Sequence, residues 1–151
     1  MQIGEAFVGD GPEAAHVNTV LGHRVGPTGT AWATALATPT VGHVPFVAVV
    51  RPGVPVQPMT LFVNKATIES DEHGRITWGA AQAGVAAGIA DAVADGFVPA
   101  TEIADFCLIA AVWVDPAARD AVVAGVRQPP DLRTVLDARA EPWNPYFRPG
   151  A

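Results

Sequence analysis

One buried helix decides the fold, and the sequence predicts it over residues 79–94, GAAQAGVAAGIADAVA. Alanine, valine and isoleucine supply most of its side chains, and a helix that is apolar on most sides is buried. Gly84 and Gly88 lie four residues apart on one face, so the helix can pack closely against a sheet or another helix. Gly96 is expected to end the helix, because glycine readily adopts the left-handed conformation that follows many helix C-termini.

Apolar segments on both sides of this helix have the length and composition of strands. They are predicted over residues 3–8, 14–21, 45–50, 60–68 and 105–114, with a short helix over residues 31–37. Asp115 and Pro116 are typical of the start of one more helix. The order β-β-α-β-β-α-β-α indicates an α+β two-layer sandwich in which helices cover one face of the sheet. We expect an oligomer to cover the other face.

Length and composition limit the class of protein. The 151 residues fit one domain, and the content of 50% hydrophobic and 16% charged residues excludes a disordered chain. A net charge of −6 disfavours a nucleic-acid partner, because phosphate backbones would be repelled. The apolar run over residues 106–114 is too short to cross a membrane, and the first residues do not resemble a signal peptide. We therefore expect a cytoplasmic protein that does not bind membranes.

A few polar side chains interrupt the apolar elements, and these are the candidates for a functional site. His16 and Asn18 lie two residues apart on a predicted strand and therefore share a face, as Lys65 and Thr67 do on a later strand. Lys65 is the only lysine of the chain. Gln82 is an amide within the apolar helix, and it needs hydrogen-bond partners if it is buried. These five side chains would form one polar pocket if the fold brings them together.

Each candidate also has an ordinary structural explanation. His16 alone is more typical of a hydrogen-bonded histidine at a sheet edge, and Lys65 of a side chain that extends its ammonium into solvent. Gln82 fits an exposed helix position. The single cysteine, Cys107, is typical of an inert buried thiol, and no pair of histidines has the spacing of metal ligands.

Six short motifs occur in a fixed order along the chain: IGEA (3–6), VGDG (8–11), AH (15–16), GHVP (42–45), KATI (65–68) and AQA (81–83). In this order and spacing they resemble the formaldehyde-activating enzyme family. The resemblance runs from the N-terminus to about Asp115 and covers most of the chain.

The resemblance implies a fold similar to the second domain of ribosomal protein S5, assembled as a homopentameric ring with active sites in clefts between subunits. The family condenses formaldehyde with tetrahydromethanopterin to the methylene derivative and water. This chemistry needs no tightly bound cofactor and no metal, and the pterin is a co-substrate. His16 matches the family's proton donor, and histidine, which titrates near neutral pH, is suited to that role. The pterin-site positions of the family correspond to Val47, Lys65, Thr67 and Gln82.

The chain departs from the family in three places. Asn18 stands where the family has an aspartate that contacts the pterin, and asparagine has the shape of aspartate without its charge. Val47 stands where the family usually has a leucine, and Phe46 beside it is bulkier than is usual in the family.

We predict one domain over residues 1–140, followed by a tail over residues 141–151 that is rich in proline and aromatic residues.

Two other functions remain open at this point. The first alternative is a relative of the family that condenses formaldehyde, or another small aldehyde, with a different amine. The second alternative is a non-catalytic module that binds an aldehyde or a pterin. The departures at Asn18 and Phe46, together with the aromatic tail, favour the first alternative. The retention of His16 disfavours the second.

Overall fold

The computed structural model describes residues 1–118, which form an α+β fold around a five-stranded mixed sheet. Its strands are β1 (Gln2–Val8), β2 (Ala15–His23), β3 (Phe46–Val47), β6 (Met59–Asn64) and β7 (Phe106–Val114), in the order β1-β2-β7-β6-β3. β6 and β7 are parallel, and the other pairs are antiparallel. A separate hairpin joins β4 (Val49–Arg51) and β5 (Val54–Pro55), and the helices are α1 (Pro27–Ala37), α2 (Asp71–Arg75) and α3 (Gln82–Ala94). The predicted α+β class is confirmed.

The first two predicted strands form a hairpin. Gly9 and Gly11 in the connection have φ angles of 74° and 53°, a region that glycine occupies without strain. The hairpin pairs Val8 with Ala15 and continues in register along β1 and β2. This register determines which side chains of β1 and β2 lie opposite each other at the candidate site.

The predicted buried helix is confirmed at its end and wrong at its beginning. It ends at Ala94, and Gly96 has a φ of 79°, as expected for the residue that terminates a helix. It begins at Asp71 and not at residue 79, because the Ser70 side chain accepts a hydrogen bond from His73 N and caps the first turn. α2 continues into α3 through a π-helical turn at Ile76–Ala81.

The core lies between the long helix and one face of the sheet. Alternate residues of the strands point to this face, and the helix adds its own apolar side chains, giving a core that includes Val17, Phe62, Leu108, Ala110, Val112, Ile76, Val85 and Ile89. α1 packs against β2 and β7 on the other face. There a Cβ at Gly22 would lie 2.2 Å from Thr28 Oγ1, so only glycine allows this approach. The prediction of helices on one face is therefore wrong for α1.

Two predicted strands are shorter than expected. The strand predicted over residues 45–50 is divided at Ala48, whose N–H donates to Thr60 O while its carbonyl accepts from Val56 N. The chain thus leaves the main sheet for the β4–β5 hairpin. The strand predicted over residues 60–68 ends at Asn64, so Lys65 and Thr67 lie in the segment after the strand and not on it.

The predicted strand over residues 105–114 is confirmed as β7. Asp115 follows it, and its Oδ1 accepts a hydrogen bond from Ala117 N, as an N-cap residue does. The rest of the helix predicted after Pro116, the domain boundary at residue 140 and the tail over residues 141–151 lie outside the described residues.

Candidate active site

The candidate site lies on the face of the sheet opposite the long helix. β1 and β2 place Glu5 opposite Asn18 and Phe7 opposite His16. Since strand side chains alternate between faces, these four side chains share one face. β7 adds Trp113 directly opposite His16. The hairpin register therefore brings two of the predicted site residues beside a carboxylate.

Lys65 reaches this face from the segment that follows β6. Its backbone N–H donates to Val112 O at 2.7 Å, which keeps the residue against β7 after the strand ends. Its ammonium Nζ lies 2.8 Å from His16 Nδ1 and 2.5 Å from Asn18 Oδ1. Three of the predicted site residues are thus in direct contact.

The partners of His16 define its tautomer. Lysine has N–H donors and no acceptor, so His16 Nδ1 accepts from Lys65 Nζ. The proton of the neutral ring is then on Nε2, which lies 2.6 Å from Glu5 Oε1 and donates to it. The ring is held between an ammonium on one nitrogen and a carboxylate on the other.

Asn18 completes a closed hydrogen-bond network of four side chains: Glu5, His16, Lys65 and Asn18. Its Oδ1 accepts from Lys65 Nζ, so its amide nitrogen is the donor toward Glu5. The pKa of Glu5 is lowered, first by the hydrogen bond from Asn18 and then by that from His16. Glu5 is therefore a carboxylate at neutral pH, with its charge directed toward His16 and Lys65.

The site is open to solvent and bordered by aromatic rings. The side chains of His16 and Glu5 are 25% and 52% exposed. The Phe7 ring packs on the imidazole at a centroid distance of 5.7 Å and on Trp113 at 6.2 Å. A ligand can therefore reach His16 from solvent and contact an apolar surface beside it.

Asn64 holds the segment that carries Lys65. Its buried amide nitrogen donates to Gly42 O and to Ala66 O, both at 2.7 Å, and its Oδ1 accepts from Val44 N at 3.3 Å. One side chain thus joins the 42–44 turn to the bend after β6. This bend directs Lys65 toward β2.

The other predicted site residues lie apart from this cluster. Gln82 is 8% exposed, and its Nε2 donates to Val49 O, so in this chain it links the long helix to β4. Val47 is half-buried on β3, where it pairs with Leu61. Thr67 is exposed, and its methyl carbon would lie 2.7 Å from a Cβ at Gly42. Within residues 1–118 the hydrogen-bond partners of the His16 ring are Glu5 and Lys65, and none of these three side chains is among them.

Sequence analysis missed Glu5 as a member of the site. The available signal was the hairpin connection, since pairing Val8 with Ala15 places Glu5 opposite Asn18. Position 5 is also the only acidic residue within its apolar strand. Reading the register of the hairpin would have identified it.

The remaining candidate groups have structural partners. His73 is buried, with Nε2 against Val114 O and Nδ1 against Glu69 N, and His43 Nδ1 bonds Asn64 O. Cys107 is buried, and desolvation raises the pKa of its thiol. In the described part of the chain, no group of three His, Cys, Asp or Glu side chains is arranged to hold a metal ion. None of the helices described has the length and apolar character needed to span a bilayer.

Comparison with known proteins gives a consistent result. The family model of the formaldehyde-activating enzyme matches residues 3–140. A bifunctional enzyme Fae/Hps of Methanosphaera stadtmanae is 42% identical over 119 residues, covering 79% of this chain and 29% of the relative. A 5,6,7,8-tetrahydromethanopterin hydro-lyase of Methanosarcina barkeri is 41% identical over 118 residues, covering 78% of this chain and 66% of the relative.

The match covers most of this chain and only part of each relative. The chain spans about a third of the length of the bifunctional relatives. The Fae/Hps enzyme of Methanosarcina mazei, for example, is 35% identical over 150 residues, which are 38% of its own length. The family match extends to residue 140, beyond Asp115, where the resemblance predicted from the sequence ends. The chain belongs to the formaldehyde-activating enzyme family.

Proposed function

We propose that this chain condenses formaldehyde with tetrahydromethanopterin, giving methylene-tetrahydromethanopterin and water. The proposal depends on one observation, the contact of 2.8 Å between the Lys65 ammonium and His16 Nδ1 on an open face of the sheet. Family membership and the name of the Methanosarcina barkeri relative support the choice of substrates.

The reaction has one step for which His16 is suited. An amine of the pterin adds to formaldehyde and forms a carbinolamine, whose hydroxyl must leave as water. Protonated His16 donates a proton to that oxygen, the C–O bond breaks, and an iminium ion and neutral His16 result. The second amine then attacks the iminium carbon and closes the ring, and the proton that it loses returns to His16. General acid catalysis of this kind contributes roughly 10²–10⁴-fold, and positioning the two reactants contributes further.

Lys65 and Asn18 would hold the ligand near His16. An ammonium with three donors suits a carbonyl or anionic group, and Lys65 already directs its donors at Nδ1 and at Asn18 Oδ1. A ligand oxygen that accepts from Lys65 Nζ would lie beside His16, because Nζ is 2.8 Å from Nδ1. Asn18 has the shape of the family aspartate but no negative charge, so it does not offset the positive charge of Lys65.

The rest of the pterin site is proposed to come from a neighbouring subunit of an S5-like homopentamer. Val47, Thr67 and Gln82 lie apart from His16 and match pterin-site positions of the family. A groove of about 300 Å³ lined by Val44, Phe46 and Trp78 lies beside β3 and offers an apolar surface to a ring. Phe7 is 63% exposed next to the site, as expected for a side chain that a neighbour covers. The substrates are small molecules, and we expect the protein in the cytoplasm.

The proposal is tested by the rate of methylene-tetrahydromethanopterin formation, measured spectrophotometrically with and without protein. The condensation also proceeds spontaneously, so the catalysed rate must increase linearly with protein concentration above that background. A rate equal to the background at every protein concentration would contradict the proposal.

A second candidate is condensation of a small aldehyde with a different amine. Asn18 favours it, since its side chain is occupied by Lys65 and Glu5 and lacks the charge of the family aspartate. Incubation with formaldehyde and a panel of diamines, followed by mass spectrometry of the products, distinguishes the two. A strict requirement for tetrahydromethanopterin would exclude this second candidate.

A further inference from the structure

We infer that Glu5 is a positioning residue for His16: its carboxylate holds the Nε2–H of the imidazole, so that Nδ1 is the nitrogen that exchanges a proton with the substrate. This inference rests on the proposed function and assigns a role to a residue outside the predicted site. Its basis is the contact of 2.6 Å between Glu5 Oε1 and His16 Nε2.

The sheet places Glu5 diagonally across from His16. Glu5 pairs with Asn18, two residues beyond His16, and diagonal neighbours on paired strands remain within reach of long side chains. Both residues lie within strands, so their backbones are held by the ladder of the hairpin. Glu5 can therefore define the orientation of the ring without touching a ligand bound at Nδ1.

The charged groups that contact the imidazole face it from two sides. Within the described residues these groups are Glu5 from β1 and Lys65 from the segment after β6, while Phe7 and Trp113 contribute uncharged rings. Lys65 and the substrate therefore share the Nδ1 side, and the carboxylate occupies the Nε2 side. The carboxylate can accept Nε2–H whether or not Nδ1 carries a proton, so the orientation of the ring is kept in both forms.

The acid step follows from this arrangement. Nδ1 of the imidazolium gives its proton to the hydroxyl of the carbinolamine, the C–O bond breaks, and water leaves. Nδ1 recovers its lone pair, while Nε2–H stays on Glu5 throughout. A protonated Nδ1 cannot accept from Lys65, so in that form the ammonium gives up its bond to Nδ1 and keeps Asn18 Oδ1 as its acceptor.

Asn18 is compatible with this role of Glu5. Its amide nitrogen donates to the Glu5 carboxylate, whereas an aspartate directly opposite Glu5 would place two negative charges side by side. Asparagine at this position therefore leaves Glu5 free to accept from His16.

The test combines nitrogen-15 NMR of the histidine rings with kinetics. His16 signals are assigned by comparison with His16→Gln, and the tautomer is measured in the wild type, Glu5→Leu and Glu5→Gln. Glu102→Gln is the matched control, because it removes the same charge in the segment before Phe106, at the opposite end of β2 from His16. Pre-steady-state and steady-state rates are measured on the same samples.

We expect the Nε2–H tautomer in the wild type and in Glu102→Gln. In Glu5→Leu we expect a larger share of the Nδ1–H tautomer, because only the bond from Lys65 Nζ to Nδ1 then still favours Nε2–H. In Glu5→Leu, kcat is expected to fall about tenfold with less than about a twofold change in KM for the pterin. Glu5→Gln retains an acceptor for Nε2–H and should preserve the tautomer with an intermediate kcat. An unchanged tautomer in Glu5→Leu, or an unchanged kcat despite a changed tautomer, would overturn the inference.

The ring spectra do not depend on turnover. A wild type that fails to exceed the spontaneous rate would contradict the proposed function, while the tautomers of the wild type and Glu5→Leu would still decide whether Glu5 orients His16. Failure of the inference and failure of the proposed function therefore give different results.

Discussion

Asn64→Ala is expected to destabilise the protein more than any single change among the polar residues near the site. Three hydrogen bonds are lost, to Gly42 O, Ala66 O and Val44 N, all made by a buried side chain. At about 0.5–1.5 kcal/mol for each of the three bonds, the loss in free energy of unfolding is about 1.5–4.5 kcal/mol. The same change releases the bend that carries Lys65, so KM for the pterin should rise as well.

The assay is urea unfolding followed by tryptophan fluorescence at a fixed protein concentration. Asn18→Ala is the matched control: it is the same substitution on a half-buried strand position, and it should cost less than about 1 kcal/mol. The slope of the transition should stay constant, so that the shift in midpoint reports stability. A loss below about 1 kcal/mol for Asn64→Ala, equal to that of the control, would refute the account of this side chain.

Three further predictions concern the charged cluster and the tail. Lys65→Ala should raise the Kd for the pterin at least tenfold, measured by calorimetry, with an unchanged melting temperature; a lower melting temperature with unchanged Kd would give Lys65 a structural role instead. The pKa of Glu5 is lowered, so its carboxylate holds His16 and Asn18 above the ordinary pKa of glutamate and releases them as the pH falls through the lowered value. Carbon-13 NMR should therefore place the Glu5 midpoint below the ordinary pKa of glutamate, and a midpoint at that ordinary value would contradict the contact. Deletion of residues 141–151 should reduce the oligomer mass in light scattering or the turnover; if both stay the same, the tail has neither role.

The positions of the strands could be predicted from their apolar residues, and the ends of the strands could not. β2 follows from the alternation of apolar and polar residues at its start, and β7 follows from a continuous apolar run of nine residues. The end of β6 at Asn64 depends on hydrogen bonds to Gly42 and Val44, which are distant in sequence. No local pattern around Lys65 contains that information.

The start of the long helix was readable and was missed. Ser70 is followed by Asp71 and Glu72, and a serine before acidic residues is a common helix start. The prediction relied on the alanine, valine and isoleucine content of residues 79–94, and the helix before them contains polar residues and a π-helical turn from Ile76 to Ala81.

The sequence predicted which residues meet at the candidate site better than it predicted the elements from which they reach it. His16, Asn18 and Lys65 are in contact, although Lys65 reaches the other two from a bend and not from a strand. Gln82 does not bond to these three side chains, and its amide donates to Val49 O. A polar residue in an apolar element indicates that a partner exists, and it does not show which partner.

The most direct test of the account is the pterin-dependent condensation rate of His16→Gln, measured beside the wild type with the pterin affinity of both. If His16 supplies the proton to the departing oxygen, the catalysed rate above background falls about a hundredfold while the affinity for the pterin stays within about twofold. An unchanged rate would contradict the role of His16. Binding of the pterin without any catalysed rate in the wild type would identify the chain as a binding module.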